Sequence, residues 1–189
     1  MPDIVAHQKL IGLTAPSGAG KSSIAKQVLD AFPSMRLSVS VTTRSPRAYE
    51  RHGKEYYFVS KPEFDRLITE DALLEYEEVY PGYYYGTPLS ELTDHDSPLL
   101  LDIDVKGASH VRTSYGGFFI FISPPSIDTL EQRLLNRGTE STEMLQTRLK
   151  RAKIELSYAN RFDAIVVNHS LDQAVKKTIS LIKSYLKDA

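Results

Sequence analysis

Ala15-Pro-Ser-Gly-Ala-Gly-Lys-Ser-Ser23 is the stretch on which the reading of this chain turns. The apolar run Lys9–Leu13 precedes it and reads as a short buried strand. Ile24, Val28 and Leu29 follow at helical spacing, with Ala25 between them. Strand, small-residue loop, Gly-Lys-Ser and helix are the context in which such a loop binds phosphate. Small residues let consecutive backbone N–H groups turn inward around an anion, and the helix N-terminus adds its partial positive charge. Ala15, Pro16, Ser17, Gly18, Ala19 and Gly20, with Lys21, Ser22 and Ser23 at the helix start, are therefore the expected contacts of a nucleoside triphosphate. Lys21 would reach the β- and γ-phosphates, and the Ser22 hydroxyl would ligate a magnesium ion. The first loop position is Ala15, not glycine; the extra methyl is tolerable where φ is negative.

Downstream, Leu37–Thr42 alternates and opens into the basic, proline-marked loop Thr42–Arg47. Glu55–Val59 is aromatic and reads as a strand. Ser60 and Glu63 form a capping box for a short helix that buries Phe64, Leu67 and Ile68. Leu73–Val79 and Tyr83–Gly86 flank Pro81-Gly82 and predict a hairpin. Residues 38–90 thus form a β-rich insertion.

Alternation of strand and helix then resumes. Pro98–Ile103 is a continuous apolar strand of the kind buried in a parallel sheet. A short helix around Ala108–Arg112, the strand Phe118–Ile122 and a Ser126-capped helix with Ile127, Leu130 and Leu134 as its apolar stripe come next. Arg137–Thr142 is a loop, and a helix runs from near Thr142 to Tyr158. Strand Ala164–Val167 and helix Leu171–Leu186 complete the chain. The fold class is α/β: a parallel sheet of the phosphate-loop nucleoside triphosphatase type flanked by helices. Ligands of such sheets sit beyond the carboxyl ends of the strands, where the phosphate loop lies.

Asp102 and Asp104 stand two apart at the end of an apolar strand, which predicts that they face one side together. A magnesium ion shared with Ser22, waters and phosphate would relieve their repulsion; a strand end entering solvent is the plainer reading. Arg133 and Arg137 lie four apart on one helix face, and Arg148 lies on the next helix. The three could close over a transferring phosphoryl group or be solvated and paired with Glu131 and Glu143. Arg44 and Arg47 share a loop with Ser40 and precede Tyr56, and with tyrosine hydroxyls they could clamp a second, smaller phosphate. Glu75 could accept two hydrogens from a guanine edge, a pair that adenine does not offer. The alternative for the tyrosine-rich stretches is half-buried strands.

The chain has 189 residues, enough for one well-buried core. Its 23 basic and 24 acidic residues give no bias toward a nucleic acid polymer or a membrane. Cysteine is absent, which excludes disulfides, thiolate metal sites and a cysteine nucleophile. The first residues have neither a basic nor an apolar leader region, and no apolar run reaches membrane-spanning length. A cytoplasmic protein is expected.

Several motifs in order resemble guanylate kinase: Ser38–Arg47, Gly53–Ser60, Tyr84-Tyr-Gly-Thr87, Leu101–Gly107 and Arg137-Gly-Thr139. The likeness covers roughly residues 9–186. It implies a core (about 1–37, 98–126 and 159–189), a GMP-binding lobe (about 38–90) and a helical lid (about 127–158). It implies ATP and GMP as substrates, dGMP as an open second acceptor, and magnesium as cofactor. Ser40, Arg44, Arg47, Tyr56, Glu75, Tyr85, Thr87 and Asp104 would contact GMP. Lys21, Arg44, Arg133, Arg137 and Arg148 would act on the phosphates in catalysis, and Asn168 would lie near the adenine. The metal would be held by Ser22 and Asp102, partly through water. The chain departs from the family pattern at Ala15, at Lys106 where glutamine is common, at His169, and in a short segment between Thr87 and Asp102. Two other classes stay open beside this reading: a non-catalytic module that binds phosphorylated peptides, and a phosphate-loop kinase acting on a sugar phosphate.

Overall fold

In the strands Leu10–Thr14 (β1), Leu99–Asp102 (β7) and Phe118–Ser123 (β8), most positions on both faces are apolar and buried. Such strands cannot lie at a surface, and they form the centre of a parallel sheet. The structure, a computed structural model, describes residues 9–92, 97–136 and 142–188. Arg36–Leu37 (β2) and Ala164–Val167 (β9) flank the central strands in the order β2-β7-β1-β8-β9, every neighbour parallel.

Alternate side chains feed two apolar clusters, one on each face. Ile11, Leu13, Leu100, Ile120 and Ile122 pack with residues of helices Lys21–Ala31 (α1), Ile127–Leu135 (α4), Thr142–Leu156 (α5) and Leu171–Asp188 (α6). Leu10, Leu99, Leu101, Phe119 and Phe121 pack with helix Val105–Tyr115 (α3) and with Leu74. Each fully buried Leu, Ile or Phe contributes about 1.5–3 kcal/mol by leaving water.

The segment expected as one strand over Leu37–Thr42 is divided. Arg36–Leu37 pairs with β7 in the main sheet, and Val41–Thr42 (β3) joins a second sheet. Ser38–Ser40 is the crossing between the two sheets, so alternation alone did not reveal that the partners change. The second sheet has the order β4-β3-β6-β5, with Tyr57–Phe58 (β4), Leu73–Tyr80 (β5) and Tyr83–Pro88 (β6). Helix Lys61–Thr69 (α2) starts at Ser60, whose hydroxyl accepts from Glu63 N–H, and buries Phe64 completely. This β-rich insertion and the helical lid of α4 and α5 stand on the parallel core. A single 3-10 turn, Leu89–Leu92, leads back toward it. Among the described residues, no helix is long and apolar enough to cross a membrane.

Candidate active site

β1 delivers the chain to the loop at residues 15–20, and α1 carries it away. Ala19 N–H donates to Pro16 O at 3.1 Å and closes a turn. Gly20 has φ +97°, a left-handed conformation, and a Cβ there would stand 2.4 Å from Asn168 Nδ2, so no other residue fits without strain. Gly20 caps α1 without a side-chain hydrogen bond, and the first turn holds no acidic residue. The amides at the start of α1 therefore face the cleft with no side-chain acceptor. Ala15 is nearly buried in the core; among the described residues only Asp71 has a positive φ without being glycine, so the Ala15 methyl brings no strain.

The loop is held from behind. Asn168 Nδ2 donates to Ala19 O at 2.8 Å, and Arg133 reaches the same carbonyl at 3.5 Å and Asn168 O at 3.0 Å. Lys21 Nζ lies 2.6 Å from Asp102 Oδ1 and donates to Ile103 O at 2.7 Å.

A cleft of about 320 Å³ opens in front of the loop. It is lined by the loop and Asp102, by Ser40, Tyr56, Glu75 and Tyr85, and by Arg148, Arg151 and Glu155 of α5. Glu75 is the most consequential of these groups. A register shift falls between Leu73 and Glu75 in β5, and bulges of this kind re-aim side chains. The carboxyl accepts from Thr87 Oγ1 at 2.7 Å, and its other oxygen lies where a Cβ on Gly107 would be, 2.4 Å away. Burial, and secondarily the charge of Asp104, push its pKa up to about 8, against the opposing Thr87 hydrogen bond and the Lys21 charge.

Arg44 is organised by a carboxylate the motifs did not single out. Glu50, with a side chain only 5% exposed, takes two hydrogen bonds of 2.9 Å from the Arg44 guanidinium and one of 2.8 Å from Arg47 N–H. The pair shifts both groups toward their charged forms, chiefly through the hydrogen bonds between them. Arg44 Nε also donates to Tyr85 Oη at 3.2 Å, and its guanidinium lies 5.5 Å from the centre of the Tyr56 ring. Burial, with the Asp102 charge next, raises the Tyr56 hydroxyl to about 12, so it stays a neutral donor.

A phosphate loop and a buried carboxyl that line one cleft invite comparison with known proteins. A family profile described as guanylate kinase matches residues 7–185. The guanylate kinase of Salinibacter ruber is 50% identical over 98% of this chain and 99% of its own. That of Chlorobium luteolum is 42% identical over 94% of this chain and 92% of its own. The chain belongs to the guanylate kinase family. A crystal structure of guanylate kinase from Anaplasma phagocytophilum superposes with a TM-score of 0.75 at 30% identity, covering 95% of this chain and 86% of that one. The family's α/β core, β-rich insertion and helical lid are the architecture seen here.

Within this guanylate kinase fold, most of the residues expected at the site either line the cleft or support its lining. Ala15, Pro16, Ser17, Gly18, Gly20, Lys21, Ser22, Ser23, Ser40, Tyr56, Glu75, Tyr85, Asp102, Asp104 and Arg148 line the cleft. Ala19, Arg44, Thr87, Arg133 and Asn168 are not part of that lining: Arg44 bonds Tyr85 and Thr87 bonds Glu75, while Arg133 and Asn168 hold the Ala19 carbonyl. Arg47 is on the outside, its side chain 62% exposed. Arg137 lies outside the described residues. One expectation is corrected: Asp102 and Asp104 are not neighbours on a strand. β7 ends at Asp102, and Asp104 is the N-cap of α3, accepting from Lys106 N–H at 2.8 Å and Gly107 N–H at 3.1 Å. Their repulsion is met by Lys21 on one and helix amides on the other, so a metal ion is not needed to explain their proximity.

The residues present nevertheless fit magnesium. Ser22, Asp102 and Asp104 present hard oxygen donors on the cleft wall. Among the described residues no cluster of three or more His, Cys, Asp or Glu forms a cage. Magnesium characteristically takes one or two protein oxygens and fills its shell with water and substrate phosphate. Motif reading also passed over Arg151 and Glu155 of α5. Arg148, Arg151 and Glu155 are spaced three and four apart, and that helical spacing was the available signal.

Proposed function

We propose that this protein transfers the terminal phosphoryl group of ATP to GMP, releasing ADP and GDP, in the purine nucleotide metabolism of the cytoplasm. The supporting observation is the pairing, across one cleft, of uncapped α1 amides with the buried Glu75 carboxyl. The first suits a polyphosphate. The second, when ionised, accepts the N1 and exocyclic amine hydrogens of guanine. Residues 38–90 act as the GMP lobe and residues 127–158 as the lid, closing on the remaining core.

In the reaction a GMP phosphate oxygen attacks the γ-phosphorus, and the bond from that phosphorus to the β–γ bridging oxygen breaks. The acceptor is anionic at neutral pH, so no general base is needed; alignment and charge neutralisation carry the rate. Lys21 leaves Asp102 to neutralise the β- and γ-oxygens. Arg44, held by Glu50, and Arg47 fix the GMP phosphate with Ser40, Tyr56 and Tyr85. Arg148, with Arg133 and Arg137, completes the positive surround. Magnesium bound through Ser22 and, partly by water, Asp102 would add charge neutralisation on the triphosphate. Closure excludes water that would otherwise take the phosphoryl group.

The test is ADP formation from Mg-ATP with GMP, AMP, CMP and UMP offered separately, for the wild type and Glu75→Gln. Turnover with GMP alone, and eroded discrimination against AMP in Glu75→Gln, are expected. A folded protein with no turnover on any of the four overturns the proposal and points to a binding module or a sugar-phosphate acceptor.

A further inference from the structure

Two residues along β5 from Glu75, one carboxylate gathers cations from two other parts of the fold. Lys106 Nζ, at the first turn of α3 in the core, donates to Glu77 Oε1 at 2.7 Å. Arg151 Nη2, on α5 of the lid, lies 3.7 Å from the same oxygen. Arg151 is fixed further: its Nη1 donates to Val79 O at 2.6 Å and its Nε to Glu155 Oε1 at 2.7 Å. One turn earlier on α5, the Arg148 guanidinium lies 5.5 Å from the centre of the Tyr80 ring. Core, insertion and lid thus meet along four residues of β5.

Isolated exposed ion pairs contribute little to stability. This cluster differs, because the Glu77 and Arg151 side chains are only 13% and 24% exposed and share partners. Glu77 also lies two residues from Glu75 on the same strand. A shift of β5 toward the cleft therefore moves the guanine-facing carboxyl and the lid's anchor as one body.

We infer that Glu77 is a positioning residue that latches the lid to the acceptor lobe: by holding Lys106 and Arg151 together it couples seating of GMP against Glu75 to placement of Arg148 over the phosphates. The inference rests on the proposed reaction only for the identity of the two ligands. Coupling of this kind is reciprocal: GMP tightens the ATP site by the same factor as ATP tightens the GMP site.

The absence of cysteine allows a direct measurement. Spin labels on Arg66→Cys in α2 and Lys150→Cys in α5, both exposed positions, report the separation of insertion and lid in the protein without nucleotide. The expected result is a single short separation in the parent and a broadened, longer one in Glu77→Gln and Arg151→Met. Lys106→Arg should keep the parent distribution and Lys106→Gln should lose it. Calorimetric titration of GMP, with and without a non-hydrolysable Mg-ATP analogue, should show coupling of about fivefold or more in the parent and almost none in Glu77→Gln. Affinities for each ligand alone should remain near the parent's. Unchanged separations in Glu77→Gln and Arg151→Met overturn the latch, as does equal loss of both single-ligand affinities with coupling kept. If the parent binds no GMP, the proposed reaction falls, and the separations alone still decide the latch. Should Glu77→Gln fail to fold, Arg151→Met reads the same contact from the other side.

Discussion

Lys21 Nζ sits 2.6 Å from Asp102 Oδ1, so the lysine of the phosphate loop is tied to the carboxyl end of the neighbouring strand. The ammonium is thereby held at the cleft wall. Lys21→Met should lower turnover by about 10²–10³-fold, the scale seen when one electrostatic contact to a transition state is removed. GMP affinity, measured by calorimetry, should change less than turnover, because Glu75 and Arg44 belong to the insertion and are held there by Thr87 and Glu50. Parent-like turnover would remove Lys21 from the reaction.

Glu75 ties pH to both stability and substrate binding. Its folded pKa, about 8, lies above an unfolded value near 4.5, so between those limits the folded state binds more protons. Stability contributed by the protonated form is complete below about 4.5 and is lost as pH rises toward 8. The loss is on the order of a few kcal/mol. Glu75→Gln keeps the acceptor for Thr87 and carries no charge, so it should flatten this decline and raise the melting temperature at pH 8. Guanine needs the ionised carboxylate, so the KM for GMP in the wild type should fall as pH climbs through about 8. A KM that is level from pH 6 to 9 would contradict this.

Gly107 sits where an added methyl would meet the Glu75 carboxyl. Alanine in place of helical glycine normally stabilises by roughly 0.5–1 kcal/mol. Here the added methyl would lie 2.4 Å from Glu75 Oε2, so Gly107→Ala should instead cost about 1–3 kcal/mol. It should raise the KM for GMP far more than that for ATP. Denaturant melts and steady-state kinetics on the same preparation check both parts.

Glu50→Gln should leave Arg44 without its bidentate partner. Hydrogen bonds to charged groups are worth about 1.5–3 kcal/mol, which corresponds to roughly a tenfold to hundredfold rise in the KM for GMP. The kcat should move less, since Arg44 orients the acceptor. A kcat loss with KM unchanged would assign Glu50 a different role.

The parts of this architecture legible in the sequence were those written in local patterns. β1, the glycine loop and α1 are contiguous, and the hairpin around Pro81-Gly82 and the Ser60 cap are equally local. Glu50 was not legible, because its meeting with Arg44 and Arg47 depends on how an irregular loop folds back on itself. Asp104 was misplaced because spacing by two describes a strand only while the strand lasts, and β7 stops at Asp102. Lys106 stood out as a departure, yet its partner Glu77 is 29 residues away, and no periodicity links them.

The anchoring of the Ala19 carbonyl by Asn168 and Arg133 has a consequence for the thermodynamics of binding. Ordering a loop costs conformational entropy wherever in the cycle it happens. With its carbonyl fastened from behind, this loop meets that cost once, when the chain folds, and not at every encounter with an anion. Triphosphate binding should therefore carry a smaller entropic penalty than binding to a loop that must assemble around its ligand. Asn168, buried and not part of the cleft lining, would set affinity through rigidity alone.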